Sequence, residues 1–352
     1  MTPTEACVAL NMLPTMGPVR LRKLLEVFET PERILAAKRD QLRAVDGIGR
    51  EVVDQITNWE TLVDLPAELK RIHEFGATII TAESPVYPKQ LREIHAPPIV
   101  LYVWGELLER DQHAIAVIGS RRTTHYGLES AKKLSYQLAY AGLTVISGLA
   151  RGIDTAAHQG ALAAKGRTVA VIGSGLSKLY PPENAALAEK ICSGNGALVS
   201  EFSMEIEPDR QTFPMRNRII SGWSQGLLVV EAGVNSGALI SVTQALEQGR
   251  NVYAVPGHIN APTAIGSNRL IQQGAKLVMD ASDILDDLQI LLPESKPSPD
   301  AATRSLPALG DDERRVYEAI RETETPIDDI ATSAELPSGI VSSILLRLEL
   351  KK

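Results

Sequence analysis

Residues Ala114–Arg122 read AIAVIGSRR. The five apolar residues from Ala114 to Ile118 have the pattern of a strand buried on both faces of a parallel sheet. The run stops at Gly119-Ser120, passes two arginines and leads into a helix predicted over 127–141. A strand that ends in glycine and feeds a helix leaves backbone N–H groups at the C-terminal edge of a sheet. Open α/β sheets bind ligands at that edge, and helix N-termini there favour anions. Arg121 and Arg122 add guanidinium donors suited to phosphate. The same stretch also fits a tight turn with two solvated arginines, so the choice falls to the rest of the chain.

From 114 to 290 the chain alternates. Apolar runs at 114–118, 143–146, 168–172, 197–199, 227–230, 251–255 and 276–278 are separated by helical patterns near 127–141, 153–165, 184–193, 236–248 and 266–273. The 199–227 interval reads as mostly irregular. Such alternation specifies an α/β fold with a doubly wound, mostly parallel sheet. Most runs end in glycine or a small residue: Gly119, Ser147-Gly148, Gly173, Ser200, Ala232-Gly233, Pro256-Gly257. In a parallel sheet those ends share one edge, so their loops are predicted to converge on one cleft. Two further strands, 77–80 and 99–103, extend the sheet, with Pro85, Pro88, Pro97 and Pro98 between them.

Residues 1–70 read as a small helical domain. Gly17-Pro18 opens VRLRKLLEVF, in which Val19, Leu21, Leu24, Leu25 and Phe28 share a helical face. Val45-Asp46-Gly47-Ile48-Gly49 separates two more helical segments. Its glycines suit the phosphate-holding turn of a helix-hairpin-helix or an ordinary αα-turn, and the acidic Asp46, Glu51 and Asp54 favour the second. The core is taken as 71–290, and the polar, proline-rich 291–307 as a linker. Residues 308–352 read as a winged-helix-like tail with Ile327, Ile330, Leu336, Ile340, Ile344, Leu345 and Leu348 inside. The chain stops at Lys352, where a wing hairpin would begin, so this domain is expected to be incomplete.

The totals set limits. At 352 residues the chain exceeds one average domain, and 44% apolar content suffices for a normal core. Aromatic residues make up 4%, which limits recognition by ring stacking. The formal net charge of −7 requires any nucleic-acid site to be a local basic patch. Cys7 and Cys192 show no metal spacing and read as reduced thiols. No signal segment opens the chain and no apolar run reaches the ~20 residues of a membrane span, so a soluble, cytoplasmic protein is expected.

Signatures of catalysis are thin. Gly119-Ser120-Arg121 lacks the later glycines of G-x-G-x-x-G, and Gly173-Ser174-Gly175 has Lys178 where the third would stand. There is no Walker lysine motif, and no cofactor is expected. His73, His95, His113, His125, His158 and His258 show no metal spacing. His158 follows Asp154 by four residues, which fits a positioned base or, more simply, an acidic helix cap. Ser147 and Ser221 precede glycines outside any G-x-S-x-G. The segment Phe213–Gly222, FPMRNRIISG, sets Arg216 and Arg218 about Asn217. Arginine grips phosphate bidentately, and asparagine reads a base edge or fixes a loop. The competing reading is a salt-bridge network with acidic neighbours. GSRR, Arg151, RNR and Asn268-Arg269 all fall near predicted strand ends, which gathers positive and polar groups at one edge.

Taken in order, GSRR, SGLARGIDTAAH, AVIGSGLSKLYPPEN, FPMRNRIISG, SGALISVTQALEQGRNVYAVPG and GSNRLIQQGA resemble the DprA/Smf family of DNA-processing proteins over residues 70–290. The helical head and the tail resemble that family's three-part layout. The resemblance implies an extended Rossmann-like core, single-stranded DNA as ligand, a homodimer, and loading of the RecA recombinase during natural transformation, without catalysis. It further implies that Gly119, Ser120, Arg121 and Arg122 hold phosphate and that Gly148, Arg151 and Asp154 shape the adjoining loop. Arg216, Asn217 and Arg218 would line the pocket, with Gly237 and Asn268 closing it. Some members carry a DNA-binding lysine after a Tyr-Pro pair. Here Pro182-Glu183 follows Tyr180-Pro181, and Lys178 is the candidate replacement. The alternative is a LOG-like nucleotide phosphoribohydrolase, whose P-G-G-x-G-T-x-x-E motif corresponds to Glu231–Ser241. Ser241 there replaces the catalytic glutamate and supplies no carboxylate. A third reading is a nucleotide-sensing scaffold with no DNA role.

Overall fold

The apolar runs form one sheet: β1 (Thr78–Thr81), β2 (Val100–Gly105), β3 (Ala114–Ile118), β4 (Thr144–Ser147), β5 (Thr168–Val171), β6 (Gly196–Ser200), β7 (Gly226–Val229), β8 (Asn251–Ala254) and β9 (Lys276–Leu277). The computed structural model describes residues 1–289, 310–319 and 326–350. The chain divides into two compact units, Met1–Leu291 and Leu292–Lys352.

The strands lie in the order β1-β2-β6-β5-β4-β3-β7-β8-β9. β1 pairs with β2, and β2 with β6, antiparallel; the other pairs are parallel. Every residue of β3, β4, β5, β6 and β7 is buried. That two-sided burial is why their sequences are unbroken apolar runs rather than alternating ones. Ala116 of β3 lies between Ile146 of β4 and Leu227 of β7. The chain winds outward from β3 to β6, then returns to β7 and winds the other way. The switch point therefore falls between the ends of β3 and β7.

The head comprises α1 (Pro3–Met12), α2 (Pro18–Phe28), α3 (Pro31–Leu35), α4 (Arg39–Arg43), α5 (Arg50–Thr57), α6 (Trp59–Leu62) and α7 (Leu65–Phe75). Its Leu10, Leu24 and Ile56 join one core with Tyr102, Ala170 and Leu198 of the sheet. The buried Glu68 carboxylate accepts the Met204 N–H at 2.8 Å, and Asn11 Nδ2 donates to the Glu201 carbonyl at 2.9 Å. Between α4 and α5, Gly47 has φ +78°, a region that favours glycine, and Arg39 pairs with Asp54 at 2.6 Å.

The core helices are α8 (Lys89–Glu93), α9 (His125–Tyr140), α10 (Ile153–Ala163), α11 (Ala185–Cys192), α12 (Thr212–Trp223), α13 (Ala238–Glu247), α14 (Ile265–Gln272) and α15 (Ser282–Gln289). α12 corrects the irregular reading of 199–227. Pro214 stands in its first turn, where a missing N–H removes no helical bond. The Asp209 carboxylate accepts the Gln211 and Thr212 N–H groups at 2.6 and 2.8 Å and closes the helix start. Ile219, Ile220 and Trp223 bury the helix against the second face of the sheet, beside Ile118, Val199 and Leu227. Each such side chain contributes about 1.5–3 kcal/mol on burial.

In the second unit, α16 (Asp311–Ala319), α17 (Ile327–Ala334) and α18 (Ser338–Leu350) pack Val316, Ile330, Ala331, Ala334, Val341 and Ile344 together. Ile327 and Ile340, expected inside, are 47% and 46% exposed. Each sits in the first turn of its helix, ahead of the packed stripe. The predicted linker 291–307 and the side chain of Leu348 lie outside the described residues. Among the described residues no helix is long and apolar enough to cross a membrane.

Candidate nucleic-acid interface

The site begins where β3 ends. A Cβ on Gly119 would stand 2.6 Å from Ile153 Cγ1 and 2.8 Å from the Glu231 carbonyl, so only glycine lets the loop pass. Ser120 N–H donates to the Glu231 carbonyl at 2.7 Å, and Ser120 Oγ donates to the Arg122 carbonyl at 2.7 Å. These bonds close the loop and leave both arginine side chains outside it.

Glu231 fixes the same loop from beneath. Its buried carboxylate accepts from Thr123 Oγ1, from Thr124 N–H at 2.9 Å, from Thr124 Oγ1 at 3.0 Å and from Thr263 Oγ1 at 2.5 Å. Burial opposes its ionisation, but the hydroxyls of Thr123 and Thr263 and the donors of Thr124 hold its pKa below the usual carboxylate range. The anion that the sequence reading places at the start of α9 is thus the protein's own carboxylate. Room for an external anion lies elsewhere on the edge.

That place is a cleft of about 510 Å³ at the switch point. It brings together Gly119, Ser120, Arg121, Arg122, Arg216, Asn217 and Gly237, with Asp154, Arg210, Phe213 and Ser241. Arg121, Arg122 and Arg210 are exposed, and among the described residues no hydrogen bond or ion pair engages their guanidinium groups. Arg121 lies 4.7 Å from the Phe213 ring centroid. Gly237 precedes α13 with nothing within 4 Å of where a Cβ would stand, so the start of that helix is open to the cleft.

Arg216 has a different task. It is 4% exposed, donates through Nη1 to the carbonyls of Gly148 (2.7 Å) and Val171, and through Nε to Asn217 Oδ1 at 3.1 Å. It ties the ends of β4 and β5 to α12. A Cβ on Gly148 would meet Nη1 at 2.5 Å, which accounts for that glycine. Burial pushes the Arg216 pKa down to about 10, against the attraction of Asp154, so the charge persists at neutral pH. Asp154 accepts the Gly148 and Ala150 N–H groups at 3.2 and 3.3 Å.

Five predicted residues, Gly148, Arg151, Lys178, Arg218 and Asn268, stand outside this lining. Arg218 turns away from the cleft, because two residues advance about 200° around a helix. Its Nη2 pairs with Glu201 at 2.5 and 2.6 Å, the salt-bridge alternative. Asn268 bridges the N–H and carbonyl of Gly257, both at 3.0 Å. Lys178 faces Glu207 at 3.3 Å and Glu205 at 4.0 Å. Arg151 lies beside the cleft in a small notch shared with Gly148, Arg121 and Phe213, and pairs with Glu183. Sequence reading missed Arg210, whose acidic neighbours Glu205, Glu207 and Asp209 mask it, and it treated Phe213 only as part of a motif.

The base reading of His158 fails on geometry. The ring is fully buried, and Nδ1 lies 2.7 Å from Thr168 Oγ1, which itself donates to the Val145 carbonyl. The carboxylate of Asp154 is turned onto loop amides instead. Among the described residues Asp154 is the one carboxylate lining the cleft, and it is 7% exposed.

Comparison with known proteins follows from this geometry. The family model for DNA recombination-mediator protein A matches residues 78–289, a DprA winged helix domain matches 300–352, and a SAM-like helix-hairpin-helix tandem matches 8–58. Protein Smf of Synechocystis is 32% identical over 97% of this chain and 94% of its own. Protein Smf of Escherichia coli is 42% identical over 77% and 73%. The structure of DprA from Streptococcus pneumoniae aligns with a TM-score of 0.71 at 34% identity, covering 82% of this chain and 98% of that one. DNA processing protein A of Helicobacter pylori, whose structure describes a single-stranded DNA binding mode, aligns with a TM-score of 0.55 at 27% identity, covering 61% and 98%. With its core, head and tail each matched in order, the chain belongs to the DprA/Smf family of DNA-processing proteins.

Proposed function

We propose that this chain binds single-stranded DNA along the switch-point cleft and passes it to the RecA recombinase. It does so as a cytoplasmic homodimer and without chemistry of its own. The observation that carries the reading is the convergence of Arg121, Arg122 and Arg210, all unpaired among the described residues, on one cleft of a chain with net charge −7. Guanidinium groups left without carboxylates at a strand-end edge await an external anion. The Helicobacter pylori relative supports a single strand as that anion, and the recombination-mediator family supports the hand-over. Ser241 and the nearly buried Asp154 leave the cleft without an exposed carboxylate, which supports binding rather than glycosidic cleavage.

The test is fluorescence anisotropy of a labelled oligo-dT, competed separately by unlabelled single strand, by duplex of equal length and by AMP. The reading predicts displacement by single strand and little by duplex or AMP. Displacement by AMP at equal phosphate would replace it with the nucleotide-scaffold reading. Release of adenine from AMP above a protein-free control would replace it with the hydrolase.

A further inference from the structure

Resting on single-strand binding at the cleft, we infer that Glu183 is a built-in competitor that occupies Arg151 in place of a DNA phosphate. Arg151 stands at the end of a contiguous run from the cleft. Arg121 lies over Phe213 (4.7 Å), Phe213 meets Tyr180 (6.2 Å), and Arg151 lies over Tyr180 (5.8 Å). A strand held at Arg121 and continuing past these rings arrives at Arg151. Among the described residues Arg121, Arg122 and Arg210 of the cleft make no ion pair, whereas Arg151 Nε pairs with Glu183 Oε1.

The pair is built in. Glu183 sits on the short turn Pro182–Asn184, and the buried Asn184 anchors that turn by donating to the Leu149 carbonyl at 2.8 Å and to Thr155 Oγ1 at 2.9 Å. The backbone of Glu183 is therefore tied to the loop that carries Arg151. The side chains themselves are 54% and 49% exposed, so the pair is solvent-screened and easily exchanged. Each partner stabilises the other's charge: the pKa of Glu183 is lowered chiefly by the hydrogen bond from Arg151, and that of Arg151 is raised by the same bond.

Binding at this position is an exchange of anions. Phosphate that takes the guanidinium sheds its condensed cation, but only after displacing Glu183. While Glu183 holds Arg151 that contact is unmade and the cation stays on the DNA, so Arg151 adds little to the salt dependence of the native chain. A strand held less tightly at one end is also easier to transfer, in keeping with a hand-over role.

The experiment measures oligo-dT affinity across a salt series for the full chain, Glu183→Gln, Arg151→Ala and the double variant. Glu183→Gln is expected to bind about two- to fivefold tighter at low salt, with a log–log salt slope steeper by about 0.7. Arg151→Ala should abolish the gain in the Gln background. Both residues are half exposed, and equal thermal melts of all four proteins check that folding is untouched. Unchanged or weaker affinity of Glu183→Gln, beside a native chain that binds oligo-dT, would overturn the competitor alone. Failure of both proteins to bind oligo-dT would overturn the single-strand reading, and the competitor with it.

Discussion

Arg216 and Arg121 carry the same side chain and serve opposite ends. Arg216 is buried with Asp154 and two strand-end carbonyls, so Arg216→Ala strands a buried carboxylate and is expected to cost about 3–5 kcal/mol of stability in urea denaturation. Arg121 is exposed and lies over the Phe213 ring, so Arg121→Ala should stay within about 0.5 kcal/mol of the native chain while weakening DNA binding. His158 sets a pH limit. Its pKa is pushed down to about 3, first by burial and then by the charge of Arg216. An unfolded histidine takes a proton near pH 6.5 and the folded one does not, so acidification below that value favours unfolding by about 1.4 kcal/mol per pH unit. The urea midpoint should therefore fall further between pH 7.5 and pH 5 for the native chain than for His158→Gln; equal falls would contradict this. At this scale the sequence showed which residue types gather but not which way they face. GSRR lies at the cleft as read, yet RNR splits, because helical phase sends Arg218 to Glu201 and Arg216 inward.

The central strands were legible because two-sided burial writes continuous apolar runs, and all nine strands appear near their predicted positions. α12 was not, because Pro214 reads as a breaker until its first-turn position is known. The antiparallel pairing of β1 with β2 and of β2 with β6 was likewise unreadable, since pairing direction leaves no local mark in four to six residues. The link between elements that matters most to the site is Glu231, which joins the end of β7 to the loop after β3, the start of α9 and Thr263. No local pattern marks it, because its partners come from two distant segments. Glu231→Ala orphans these donors and should cost about 1–3 kcal/mol. With the loop of Ser120 and Arg121 released, single-strand affinity should fall as well. A variant that loses stability but keeps full affinity would show that the loop holds its shape without the carboxylate.

At the scale of the whole molecule the chain is acidic, with a net charge of −7, and the cleft sets against it Arg121, Arg122 and Arg210, which stand unpaired among the described residues. Composition announced that a local patch was required, and strand-end spacing located its edge, but Arg210 emerged only from the fold. The proposed homodimer predicts about twice the chain mass of 38.1 kDa by light scattering, and the monomer mass would contradict it. The most direct test of the account is the salt dependence of oligo-dT binding for the native chain against Arg121→Ala/Arg122→Ala/Arg210→Ala. Three lost phosphate contacts should flatten the log–log slope by about 2. An unchanged slope in a folded triple variant would place the DNA elsewhere on the molecule.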